Sequence, residues 1–233
     1  MFITDAGVTI VDTKLAGWGQ TILDRVKTVT SKPITRMINT HTHNDHTGSN
    51  EFFGAAIETI VQENTRANMV KMDEFKGAKA QFLPKRTYKD TLTVGAGKDQ
   101  IDLYYFGAGH TNGDSFVVFP ALRTMHVGDI FAWKALPYVD TMNGGSVVEQ
   151  PKTLAKAIAT VKNVDTIING HIPVSTWDDL KEYADFTKEF ASRGTCRSRT
   201  TSSRASSVPL AGTQSRMIGI CSGTRAACDN RGG

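Results

Sequence analysis

The chain has 233 residues, enough to bury a substantial core as one domain or at most two. Hydrophobic residues make up 39% and charged residues 21%, ordinary values for a soluble globular protein, and no apolar run approaches the ~18 residues that suggest a membrane span. The formal charge of +4 is unevenly spread: residues 192–233 hold seven Arg against one Asp, a balance of +6, so residues 1–191 stand at −2 and give a nucleic-acid partner no support.

The opening MFITDAGVTIVDT lacks the basic head and long apolar stretch of a secretory signal, and localisation stays open. Within it VTIVDT (8–13) reads as a strand, and WGQTILDRVKTVT (18–30) as an amphipathic helix with Ile22, Val26 and Val29 on one face. Pro33 introduces a second strand, ITRMINT (34–40), which runs straight into THTHNDHTG (40–48). A strand at AIETIVQ (56–62) and a helix over 63–76 follow. LTVGAGKDQIDLYYF (92–106) reads as a hairpin turning at 95–98. Strands SFVVF (115–119) and LRTMHV (122–127) precede a loop rich in Gly and Asn at 143–146. A helix over 149–162, the short strand DTIIN (165–169) and a helix over 176–191 complete the body. Strands alternating with helices indicate an α/β or layered α/β/α architecture.

From Ser192 the periodicity stops, which divides the chain into a folded domain over 1–191 and an Arg/Ser-rich tail over 192–233. Basic residues in the body are fifteen Lys and five Arg, whereas the tail has seven Arg and no Lys. All three cysteines (Cys196, Cys221, Cys228) lie in the tail, so the body has neither a disulfide framework nor a thiolate ligand. Two readings fit the tail, a disordered basic segment or a frame-shifted translation. The abrupt change in Lys/Arg usage and the confinement of cysteine favour the second.

Three histidines and an aspartate within nine residues point to metal. In an extended chain residues two apart share a side, so His41 and His43 can converge on one ion. Asn44, Asp45 and Gly48 are turn formers, which lets Asp45 and His46 swing toward a neighbouring point. Two imidazoles do not fill a tetrahedral zinc site, so further ligands must come from elsewhere. His110 in GAGHTNGD (107–114), His171 in INGHIP (168–173) and Asp129 in HVGDIF (126–131) all follow strand ends. Alone, either histidine would be an ordinary loop residue and Asp129 a turn residue or helix cap. Together with the cluster, four strand-end loops can converge at one edge of the sheets. His126 lies inside a strand pattern and reads as structural, or as support for a ligand.

HTHNDH (41–46) matches the HxHxDH signature of the metallo-β-lactamase superfamily. GH at 109–110, GD at 128–129 and GH at 170–171 match its later motifs in order, and IVDT (10–13) looks like its early strand ending in Asp. The resemblance implies an α/β fold, a four-layered αβ/βα sandwich with metals at one edge of its two sheets. By position it implies that His41, His43 and His110 bind a first metal and that Asp45, His46 and His171 bind a second. Asp129 would bridge the two, and Asp12 would support the ligands from behind. The cofactors implied are two divalent ions, zinc first, with iron or manganese as alternatives. Family members commonly carry one or two strands ahead of this chain's first residue and an ordered helix in place of its tail. The chain therefore reads as truncated at its N-terminus and aberrant after about residue 191.

Two divalent ions carry +4 against −2 from Asp45 and Asp129, so even with a bound hydroxide the centre keeps about +1 and stays electrophilic. Coordination lowers the pKa of water toward ~7. The expected reaction is attack by metal-bound hydroxide on the carbonyl of an ester, lactone, thioester or β-lactam, or on a phosphodiester, with Asp45 orienting the hydroxide and relaying its proton. The resemblance also bears on substrate. Asp129 and a body free of Cys disfavour the β-lactamase branch that uses a Cys ligand, and look more like thioesterases, lactonases and phosphodiesterases; β-lactam hydrolysis stays open. Lys134, Tyr138 and Asn143 follow Asp129 and are candidates to contact a small-molecule substrate, or are solvent-exposed loop residues. A di-iron oxidoreductase on the same ligands and a non-catalytic metal-binding product are the other readings. Oligomeric state leaves no trace in the letters.

Overall fold

A computed structural model describes residues 1–202, with side chains to residue 193. Residues Met1–Cys196 form one compact unit. In chain order its elements begin β1 (Phe2–Ile3), β2 (Val8–Val11), α1 (Gly19–Lys27), β3 (Ile34–Ile38), α2 (Asn44–Thr47), α3 (Asn50–Phe53), β4 (Glu58–Gln62), α4 (Glu63–Met69) and β5 (Arg86–Tyr88). The second half holds β6 (Thr91–Val94), β7 (Ile101–Tyr104), β8 (Phe116–Phe119), β9 (Thr124–Gly128), α5 (Gln150–Thr160), β10 (Thr166–Asn169), β11 (Ser175–Thr176) and α6 (Trp177–Ser202). One sheet takes β1 to β5 in sequence order, the other runs β11-β10-β9-β8-β7-β6.

The strands β2 to β5 are parallel, and parallel strands must be covered on both faces, which is why they read as near-continuous apolar runs. Inward, Ile38 and Ile60 of the first sheet meet Leu103, Val117 and Phe119 of the second. Outward, Val8, Ile10 and Met37 pack on Val26 of α1. The outer face of the second sheet, with Phe116, Val118, Met125 and Ile167, is covered by Leu154 and Ala157 of α5 and by Leu180 and Tyr183 of α6. Fully burying a Val, Leu, Ile, Phe or Met side chain contributes roughly 1.5–3 kcal/mol. The result is a helix–sheet–sheet–helix sandwich, the expected αβ/βα fold.

Several boundaries differ from the sequence reading. Helix α1 stops at Lys27, so Val29 is exposed rather than on its apolar face. The helix expected over 63–76 ends at Met69. Phe75 reaches the cluster of Val61 and Met69 from a separate 3-10 turn, Asp73–Phe75, with Met72 packed against it. The turn formers at 44–48 build one helical turn, Asn44–Thr47. Helix α6 does not stop at 191 but runs to Ser202. Once nucleated, a helix gains a backbone hydrogen bond for each added residue, even where no apolar stripe continues. The rest of the 192–233 segment lies outside the described residues.

Four strands position the site. β7, β9 and β10 share one direction, because β7 and β9 are each antiparallel to β8 and β10 is parallel to β9. Their C-terminal ends therefore lie at one edge of the second sheet, and the loop after β3 supplies the first sheet's contribution.

Candidate metal centre

After β3 the chain bends at residues 40–42, which brings His41 Nε2 to 3.2 Å from His43 Nδ1. The single turn of α2 then aims Asp45 and His46 at a second point. That turn is clamped through the carbonyl of His46, which accepts from the Thr13 amide at 2.8 Å and from Asn39 Nδ2 at 3.1 Å. His110 comes from the loop after β7, and its Nε2 lies 3.0 Å from His43 Nδ1. Asp129 directly follows β9, and His171 lies in the loop after β10. Gly128 (φ 54°) lets the chain turn there, and a Cβ on it would stand 2.7 Å from Thr40 Oγ1.

Two donor groups result. His41, His43, His110 and Asp129 offer atoms that lie within 4.8 Å of one another, as do Asp45, His46, Asp129 and His171. Asp129 belongs to both. Its Oδ2 lies 3.0 Å from His171 Nε2, 3.8 Å from His110 Nε2 and 4.0 Å from His41 Nε2, and its Oδ1 lies 3.3 Å from His46 Nε2. Asp45 Oδ2 sits 3.3 Å from His171 Nε2 and 3.5 Å from His46 Nε2.

The outward nitrogens explain the inward ones. His43 Nε2 donates to Asp140 Oδ2 at 2.7 Å, His46 Nδ1 to Asp12 Oδ2 at 2.8 Å, and His110 Nδ1 to the Tyr138 carbonyl at 2.7 Å. Thr40 gives its hydroxyl proton to Asp12 Oδ2 at 2.8 Å, so its oxygen accepts from His41 Nδ1 at 3.0 Å. This network assigns the tautomers, so that each ring, when neutral, carries its lone pair on the inner nitrogen. Three such lone pairs, on His41, His43 and His110, then face one another and repel unless a cation lies between them. Asp12 itself is in the left-handed region (φ 59°), a conformation costing roughly 1–2 kcal/mol that its bonds to Thr40 and His46 offset.

Electrostatics agree. Burial holds the His41 pKa well below its ordinary value, and the neighbouring imidazoles lower it further. Burial also opposes charge on His46, but the Asp12 and Asp129 carboxylates outweigh it and push the pKa up to about 10. Positive charge is wanted at that point. Among the described residues His46 Nε2 and Asp129 Oδ1 are buried without a hydrogen bond. Five imidazole nitrogens and two carboxylates are a donor set suited to zinc, iron or manganese. Each of the two groups could hold a divalent ion.

A cleft of about 500 Å³ opens over Asp45, Asp129 and His171, lined also by Met72, Glu74, Trp133, Tyr138 and Asn143. Tyr138 and Asn143 thus line the cleft. Lys134 pairs its ammonium with Asp179 Oδ1 of α6 at 2.5 Å and lines a separate groove. His126 is no ligand; its Nδ1 accepts from the Gly128 amide at 3.1 Å. Asp140, Thr40, Met72 and Trp133 went unread. Asp140 stands 97 residues from its partner His43, and no local pattern announces it.

Over residues 1–172 the sequence matches the family profile of the metallo-beta-lactamase superfamily. It is 24% identical over 174 residues to metallo-beta-lactamase IND-1 of Chryseobacterium indologenes, spanning 72% of this chain and 69% of that protein. Identity to metallo-beta-lactamase type 2 of Elizabethkingia meningoseptica is 24% over 185 residues, spanning 77% and 68%. Among solved structures, the metallo-beta-lactamase from Pontibacter korlensis superposes with a TM-score of 0.68 at 20% identity, covering 79% of this chain and 84% of that one. DIM-1 metallo-beta-lactamase gives 0.66 at 20%, covering 80% and 84%.

Proposed function

This chain belongs to the metallo-β-lactamase superfamily and is a metal-dependent hydrolase, and from that premise we propose that it cleaves a small carbonyl compound, an ester, lactone, thioester or β-lactam, with two divalent cations held among His41, His43, His110, Asp45, His46, His171 and the shared Asp129. The observation that carries the reading is Asp129, whose two oxygens face the two groups of imidazoles at 3.0–4.0 Å.

When bound, the cations bring the pKa of water toward about 7 and polarise the substrate oxygen. The remaining tasks fall to side chains. Asp45 is half-buried and lines the cleft, so its Oδ2 is positioned to orient the attacking water, take its proton and pass it to the leaving group. Asp12, Asp140, Thr40 and the Tyr138 carbonyl keep the ring protons outside, which fixes which nitrogen each histidine presents. Met72, Trp133 and Tyr138 line the cleft beside the reacting point. The names of the relatives put β-lactams among the substrates to try.

Protein loaded with zinc and desalted is expected to retain two equivalents by elemental analysis. It is expected to turn over at least one member of a panel holding a chromogenic β-lactam, a lactone, a thioester and a phosphodiester. His43→Ala is expected to lower both bound metal and rate, the rate on the order of a hundredfold or more. Undiminished hydrolysis in that variant overturns the reading, and turnover of the phosphodiester alone moves the chemistry to phosphorus.

A further inference from the structure

Beyond its ligand residues the cleft has an uneven character. Its walls are Met72, Trp133, Tyr138, Asn143 and one further charged group, the exposed carboxylate of Glu74. Among the described residues no Lys or Arg lines it. The lysines nearest its walls in sequence are engaged elsewhere: Lys71 Nζ donates to Asn68 Oδ1 at 3.2 Å, Lys76 Nζ to Asp73 Oδ1 at 2.6 Å and Lys134 Nζ to Asp179 Oδ1 at 2.5 Å. Glu74 itself pairs with no cation among the described residues. The two rings stand close to the reacting point. Trp133 lies 5.9 Å from the His171 ring, its orientation fixed by a 2.8 Å bond from Nε1 to the Leu136 carbonyl, and Tyr138 lies 6.3 Å from the His43 ring.

Resting on the hydrolase reading, we infer that this cleft selects substrates whose non-reacting end is cationic or neutral and disfavours those carrying a second anionic group, with Glu74 as counter-charge and Trp133 and Tyr138 as ring faces. The bound ions draw the oxygen that reacts, while the walls decide what the rest of the molecule can be. A carboxylate at this wall finds no cationic partner among the residues lining it and is repelled by Glu74; Lys14 lines the neighbouring pocket, which shares Asp45 and His171. An alkylammonium finds a free carboxylate and two aromatic rings lining the same cleft, the combination that recognises such groups. Each ring contributes about two- to fivefold at an exposed site, and an exposed ion pair adds a similar factor. Together these amount to a preference of roughly tenfold or more.

The test uses the zinc-loaded full chain and three aryl esters alike except for a terminal trimethylammonium, tert-butyl or carboxylate group, together with the three matching methyl ketones, which bind without being cleaved. In kcat/KM, and in ketone affinity by calorimetry, the trimethylammonium compound is expected to lead the carboxylate by about tenfold. Glu74→Gln is expected to shrink that ratio about threefold and Glu74→Lys to reverse it. A carboxylate compound that equals or beats the cationic one, or a ratio indifferent to Glu74→Gln, overturns the inference. If no ester is cleaved yet the ketones keep the expected order, the hydrolase proposal fails and the selectivity stands.

Discussion

At the scale of single residues, Gly170 shows how tightly the centre is built. A Cβ on it would stand 1.7 Å from Asp129 Oδ1, with the Gly128 carbonyl carbon at 3.3 Å on the same side. Gly170→Ala is therefore expected to push the shared carboxylate off its position. Stability should fall by about 1–3 kcal/mol in a urea titration, as for other overpacked sites, and bound zinc below two equivalents; a variant that keeps its full metal complement refutes this account. The ligand histidines were readable because their residue type is rare in this chain and each candidate followed a strand end. The reason for the glycine before His171 was not, since it depends on a carboxylate forty-one positions earlier. Asp140 and Lys134 mark the same limit from opposite sides. Asp140 orients a histidine that no local spacing connects to it, and Lys134, chosen for its nearness to Asp129, is drawn away by Asp179 of a distant helix.

At the scale of elements, Glu58 ties three neighbouring strands. From β4 it accepts from Arg36 Nε of β3 at 2.6 Å and from Arg86 Nη1 of β5 at 2.7 Å. Burial opposes its charge, but the two guanidinium groups outweigh it and hold its pKa below the ordinary 4.5. An acid lowered on folding stabilises the fold above its ordinary pKa, and that contribution is lost as pH falls through 4.5 and then the folded value. Glu58→Gln is expected to cost up to about 1 kcal/mol at pH 7, the side chain being a third exposed. The difference in urea midpoint from the parent should shrink at pH 3; an equal difference at both pH values assigns the effect to packing instead. Strands of four or five residues were visible as apolar runs, but β1, β5 and β11, at two or three residues each, are too short to carry a period. Their place is set by the neighbour each pairs with.

At the scale of the whole described unit, the centre joins the two sheets. Residues 41–46 follow β3 of the first sheet, while His110, Asp129 and His171 follow strands of the second. Ions bound between them would act as cross-links present only in the folded state. At 100- to 1,000-fold excess over Kd each ion is expected to add about 2.7–4.1 kcal/mol, which for a domain of this size means a rise in Tm of roughly 5–15 °C per ion. Chelation should reverse it in thermal unfolding followed by circular dichroism, and a Tm indifferent to chelator and zinc alike denies the cross-link. The layered class was legible from alternating strands and helices, but the allotment of strands to two sheets was not, because pairing partners lie up to forty-two residues apart. The Asp12 carboxylate adds a final constraint. It receives the ring proton of His46 directly and holds His41 through the Thr40 hydroxyl, and so has a hand on one imidazole from each group. Loading of the two positions is therefore expected to be interdependent: a disturbance at either would travel through this one acid to its twin, and the pair is expected to fill and empty in concert.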